Sequence, residues 1–287
     1  MALKLMYITN QPEIAQIAQS AGVDRIFVDM EYIGKSDRQG GMDTVQSRHT
    51  VEDVKRIREV ATKSEVLVRV NPIHDATADF CSTEQEIDEV IAAGADVVML
   101  PFFKTAAEVA RFVKAINGRV RSMILVETPE SVAKIDEILE VKGIDEVFIG
   151  LNDLSLGYGM AFMFELLANG TVEKLCEKFR RKRIPYGFGG IASLGRGVLP
   201  SEYIIREHYR LGSTCSILSR SFCNVNIIDD IDVIKSIFKN GMSEIRELEL
   251  KCTLELKMGD DDYFIHNKEV VDEKVHEISE KIQESNN

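Results

Sequence analysis

Two hydrophobic rhythms alternate along this chain. Short, unbroken apolar runs rich in Val, Ile, Leu and Phe have the length of strands buried on both faces. Between them, apolar residues recur every three or four positions, the spacing of a helix with one buried face. The runs are LKLMYIT, RIFVDME, EVLVRVN, VVMLPFF, RSMILVE, EVFIGLND, PYGFGGIAS and CSILSRSF. The helical stretches include PEIAQIAQSAG, closed by Gly22, then VEDVKRIREVATKS, TAAEVARFVKAING and SEYIIREHYRLG. SVAKIDEILEVKGIDE places Val132, Ile135, Ile138 and Leu139 on one face of a predicted helix. MAFMFELLANGTVEKLCEKFRRKRI reads as helical with a break expected at Asn169-Gly170. Strand and helix alternate without interruption, which predicts the α/β class and a (β/α)₈ TIM barrel over residues 1–240. Residues 241–287 read as a helical, acidic C-terminal extension, frayed at its end. Its apolar set Leu248, Leu250, Leu254 and Leu256 needs a partner, so an oligomerisation arm is expected beside the plainer reading of a solvated tail.

Chemistry concentrates where these runs end. The fifth ends in Glu127, within VETPE, and the sixth in Asp153, within LNDLS. In a barrel of this kind the carboxyl ends of the strands carry the active site. Two carboxylates a strand spacing apart repel unless a proton or a cation lies between them. With oxygen ligands alone on offer, the matching cation is hard, Mg²⁺ or Mn²⁺. The competing reading makes each acid a helix cap, and Thr128-Pro129 has the look of an N-cap and first helical residue. Arg69, near the end of the third run, offers a planar fork for a carboxylate. Asp29 and Glu31 end the second run. Gly150 gives backbone amides room to approach substrate oxygens, and Asn152 shapes the loop or donates to substrate.

Composition narrows the partners. A net charge of −12 argues against nucleic acid or an anionic membrane. No apolar run approaches the roughly 20 residues of a membrane span, and the N-terminus turns polar too soon for a secretory signal. The 5 cysteines are scattered, with no CxxC pair, which fits a reduced, cytoplasmic setting.

The segments VDME, LVRVN, GADVVMLPFF, VETPESV and IGLNDLS, in that order between Met1 and Phe222, resemble the 4-hydroxy-2-oxo-heptane-dioate aldolase and citrate lyase β-subunit family. That family belongs to the pyruvate and phosphoenolpyruvate superfamily of metal-dependent TIM barrels. The resemblance implies that Glu127 and Asp153 hold a divalent metal, with Asp29 and Glu31 close by, in part through water. It implies a 2-oxo acid chelating that metal, Arg69 stabilising an enolate oxygen, and an aldehyde as second substrate. It also implies a homo-oligomer, a hexamer among the candidates. An acyl-CoA thioester or phosphoenolpyruvate as substrate, and a catalytically silent barrel, are the alternatives. The chain departs from the family where relatives carry a proton-handling histidine and its aspartate: those positions are Tyr32 and Ala92. Leu151 stands where relatives often carry a proline or small residue. Metal-activated water is the expected base, with His49 or His74 on the neighbouring loops as substitutes.

Overall fold

A computed structural model of the chain describes residues 2–34, 49–259 and 261–285; most of the long loop expected after the second strand, residues 35–48, lies outside them. Eight strands close into a parallel barrel in sequence order: β1 (Lys4–Ile8), β2 (Arg25–Asp29), β3 (Glu65–Arg69), β4 (Val97–Leu100), β5 (Arg121–Val126), β6 (Glu146–Ile149), β7 (Tyr186–Ile191) and β8 (Cys215–Leu218). The helices between them are α1 (Pro12–Ser20), α2 (Val51–Val60), α3 (Thr83–Ala92), α4 (Ala106–Ile116), α5 (Pro129–Ala133), α6 (Ile135–Ile138), α7 (Leu151–Gly157), α8 (Glu165–Ala168), α9 (Thr171–Lys182) and α10 (Ser201–Leu211). Two long helices follow, α11 (Ile231–Met258) and α12 (Asp261–Ser285). No described helix is long and apolar enough to cross a membrane. The helix expected across residues 131–146 is divided at Lys134 into α5 and α6, with Ile135, Ile138 and Leu139 still buried.

The chain forms two compact units, Tyr7–Phe148 and Met1–Met6 with Ile149–Asn287. In the first, β2 to β5 pair in parallel, and Asp29 stands opposite Arg69 in the β2–β3 register. Every residue of β2 and β4 is buried, as a strand covered on both faces requires. Helices start on side-chain caps: Thr50, Ser82, Thr105 and Thr128 each accept from the backbone N–H three residues on. The amino ends of the strands carry a charge network. Arg25, fully buried, donates to both oxygens of Glu146 and, through Nε, to Glu65 Oε2 at 2.7 Å. Arg121 also pairs with Glu65. Burial pushes the Glu65 carboxyl up, but the Arg25 and Arg121 guanidiniums outweigh it and hold it below its ordinary value.

In the second unit β7 and β8 pair with an irregularity between Gly187 and Gly190. A side chain at Gly187 would put its Cβ 2.2 Å from the Cys215 carbonyl oxygen, so this close strand approach requires glycine. Helix α12 folds onto α8 and α10, burying Phe264, Val271 and Val275. There Asn267 Nδ2 donates to Tyr203 O and Glu207 Oε1, and Arg206 Nε donates to the Tyr263 hydroxyl. His208 on α10 is fully buried, stacked on Phe188 with ring centroids 3.9 Å apart. Burial pulls its pKa down to about 3, so the ring is neutral.

Candidate active site

Each residue of the first unit's site sits where a strand runs out. Arg69 is the last residue of β3 and Asp29 the last of β2, so their register makes the pair. Arg69 Nε donates to Asp29 Oδ1 at 2.8 Å and Nη2 to Oδ2 at 2.7 Å, a fork-on-carboxylate contact. Its Nη1 lies 3.2 Å from Glu31 Oε2. Burial works against this guanidinium's charge; Asp29 first, then Glu31, and more distantly Glu127, reverse that and drive its pKa upward. All three acids are buried, so a strongly charged group is held out of water by its neighbours. The guanidinium fork expected to be open for substrate is thus already oriented by two acids.

Glu127 follows β5 directly. Helix capping does not occupy it: Thr128 accepts from Ser131 N–H, and Pro129 opens α5. Instead Glu127 Oε1 accepts from the backbone N–H of Phe102 at 2.9 Å. Phe102 holds φ at 50°, the left-handed region that a bulky residue enters at a cost of order 1–3 kcal/mol. Strain here aims an amide at a buried carboxylate. Such outliers cluster at functional sites.

Tyr32 follows Glu31 directly, just beyond β2. Its backbone N–H and that of Ile33 both donate to Asn71 Oδ1 at 3.0 Å. Asn71 donates in turn through its backbone and its Nδ2 to Glu86, a buried carboxylate on α3. Burial, then the negative charge of Glu86 and the Cys81 thiol, raise the Tyr32 phenol above its usual pKa. Burial likewise raises Glu86, against the hydrogen bonds from Asn71. His49 Nδ1 accepts from the Asp29 backbone N–H at 3.0 Å, so its ring proton sits on Nε2. His74 has Nδ1 at 2.7 Å from Pro72 O and Nε2 at 2.9 Å from Cys81 O. It braces its own loop.

In the second unit Gly150 is the N-cap of α7, with Asn152 and Asp153 in its first turn. Asp153 therefore lies four residues beyond the end of β6, in a helix rather than on the strand. Asn152 is exposed, and its carbonyl accepts from the Ser155 hydroxyl at 2.8 Å. Gly150 takes φ −82°, a conformation open to any residue, so its backbone shape does not call for glycine. Leu151 is buried.

The sequence reading missed Asn71, Glu86 and Phe102. Glu86 had a signal: it falls on the buried face of α3 with Thr83, Ile87 and Val90, where a charged residue is out of place. Among the described residues no group of three or more His, Cys, Asp or Glu is arranged to hold a metal ion. The donor set that remains is carboxylate oxygen. It suits a hard cation held by one or two acids and completed by substrate and water.

Residues 4–162 match the profile of the HpcH/HpaI aldolase/citrate lyase family. A hydroxypyruvate/pyruvate aldolase from Sagittula stellata is 26% identical over a stretch covering 26% of this chain and 41% of that protein. A second, from Rhizorhabdus wittichii, is 55% identical over 15% of this chain and 17% of that protein. The chain thus matches less than half the length of either relative. In fold it is similar to an HpcH/HpaI aldolase/citrate lyase family protein from Burkholderia cenocepacia, with a TM-score of 0.59 at 15% identity, covering 85% of this chain and 95% of that one.

Proposed function

Since the chain belongs to the HpcH/HpaI aldolase/citrate lyase family, whose profile spans over half of it, we propose that it is a divalent-metal-dependent carbon–carbon lyase acting on a 2-oxo acid and an aldehyde. Family membership supports an aldolase or lyase activity; metal and substrates are the proposal. The observation that carries it is Arg69 fixed among Asp29, Glu31 and Glu127 at the carboxyl ends of the strands. Glu127 and Asp153, following consecutive strands, would hold the Mg²⁺ or Mn²⁺. When bound, the ion supplies Lewis-acid polarisation of the substrate carbonyl.

The remaining roles belong to side chains. Asp29 and Glu31 orient Arg69, whose guanidinium steadies negative charge as it builds on the 2-oxo acid's oxygen. Asn152 and the backbone at Gly150 are the further candidates for substrate contact. Tyr32 keeps its proton at neutral pH and hands it to the aldehyde oxygen as the new bond forms. His49 presents an N–H and His74 is engaged through both ring nitrogens, so neither is the base in this arrangement. Leu250, Leu254 and Leu256, exposed by 62, 50 and 48% on α11, support a homo-oligomer built on the extension. Light scattering should show more than one copy, falling to one after their joint replacement by Gln.

Calorimetric titration with Mn²⁺, together with deuterium exchange at the pyruvate methyl group, tests the reading. The parent protein should bind the ion and exchange; Glu127→Ala and Asp153→Ala should do neither. Exchange in the absence of any divalent ion would overturn the metal dependence. The second reading, a silent barrel, is favoured by Tyr32 and Ala92 at the dyad positions. It would be established by metal binding without exchange or turnover.

A further inference from the structure

Tyr32 poses a physical puzzle. It follows Glu31 directly, yet the residue stays 45% exposed while Asp29, Glu31 and Glu86 are buried. The Phe80 ring packs against it, centroids 5.4 Å apart at 50°. Both rings are held from behind. The turn carrying Tyr32 is pinned by Asn71 Oδ1 through two consecutive N–H groups, and Asn71 is locked to the buried Glu86. The loop carrying Phe80 is braced across its width by His74, between Pro72 O and Cys81 O. It is tightened at its tip by Thr77, whose N–H donates to Phe80 O at 2.8 Å and whose hydroxyl accepts from Phe80 N–H. A loop ordered by this many polar contacts has already lost the freedom that a ligand would otherwise have to remove.

We infer that Tyr32 and Phe80 form a fixed aromatic wall that selects an aromatic aldehyde as the electrophile. The inference rests on the lyase reading and names the substrate class that reading leaves open. The site is then bipolar: Arg69 and the acids serve the 2-oxo acid, while the tilted ring pair serves an aromatic ring. Aromatic groups favour offset or edge contacts of this kind, with a gain beyond the area buried. A small hydroxyaldehyde has no surface to match the wall and draws nothing from it.

Two measurements on the full chain keep the wall and the lyase reading apart. The first is binding of benzaldehyde without metal or pyruvate, followed by saturation-transfer NMR. The second is the ratio of kcat/KM for benzaldehyde to that for glycolaldehyde, with pyruvate and Mn²⁺. Phe80→Ala and Tyr32→Ala should each weaken benzaldehyde binding about tenfold, and Phe80→Ala should lower the selectivity ratio by a similar factor. Phe80→Leu is the milder companion variant, and Tyr32→Phe should keep the binding. Benzaldehyde binding with no turnover of any aldehyde leaves the wall in place and refutes the lyase reading. Turnover of glycolaldehyde with no benzaldehyde binding, or full binding in Phe80→Ala, refutes the wall.

Discussion

The two ends of the strands in the Tyr7–Phe148 unit carry opposite kinds of charge cluster. At the amino ends, Arg25 and Arg121 face Glu65 and Glu146, two cations for two anions. At the carboxyl ends, Arg69 faces Asp29, Glu31 and Glu127, one cation for three anions. Arg25 and Glu146 are buried in the first, as are all three acids of the second, while Glu65 and Arg121 stay partly exposed. The first has its charges matched within itself and acts as a plug that fixes strand ends. The second, among the groups named, sets three acids against one guanidinium, and like charges this close disfavour joint ionisation unless a cation or a proton meets them. Matching is what structure needs, and a mismatch held rigidly is what a reactive site needs.

Breaking the matched end should give the largest effect. Arg25→Met leaves Glu146 buried without its bidentate partner, and removing one member of a buried pair costs about 3–5 kcal/mol. Urea unfolding should show that loss, while Mn²⁺ affinity of the folded variant stays at the parent's value. At the mismatched end, Glu127→Gln should leave stability equal or raised, because it removes a like charge from a crowded site. Its Mn²⁺ affinity should fall by at least about 100-fold, the upper end of what even supporting residues contribute to metal sites. Calorimetry and a urea titration on the same sample check both halves.

Smaller effects sharpen the contrast. Tyr32→Phe should slow aldol turnover about 10- to 100-fold, a modest share of general acid–base catalysis, with Mn²⁺ affinity unchanged; steady-state kinetics decides. His208 shows a third solution, a buried group kept neutral. Its folded-state pKa of about 3 lies below the unfolded value of 6.5, so the unfolded chain binds the proton first as pH falls. Stability is complete above about pH 6.5 and drains away towards pH 3, by about 2 kcal/mol at pH 5. In His208→Phe the difference between urea midpoints at pH 7 and pH 5 should shrink accordingly.

Much of this arrangement is legible in the chain. Buried parallel strands read as unbroken apolar runs, so β2 to β6 and the polar residues ending them stand out. Arg69, Asp29, Glu31 and Glu127 are conspicuous in this way, as charges at the edge of such a run. The partners are not. Nothing local to Phe102 announces a left-handed backbone aimed at Glu127, and nothing near Asn71 points to Glu86 fifteen residues on. The Arg25 network joins residues 121 positions apart, a relation that periodicity cannot carry. Asp153 reads as a strand-end acid because the apolar run continues through Leu151, which the structure puts in the helix.

One contact has a consequence in time. The Leu3 N–H donates to Glu249, and Arg246 reaches back to the Leu3 carbonyl, a closure spanning 246 positions. A ribosome adding about 5–20 residues each second needs roughly 12–50 s to cover that gap. Through that interval the first residues of the chain exist without the helix that holds them. The Tyr7–Phe148 stretch, by contrast, is complete in sequence about 100 residues before Glu249 is added and has every partner of the Arg25 network. Birth order therefore favours a nascent chain whose Tyr7–Phe148 stretch settles first and whose Leu3–Glu249 closure comes last.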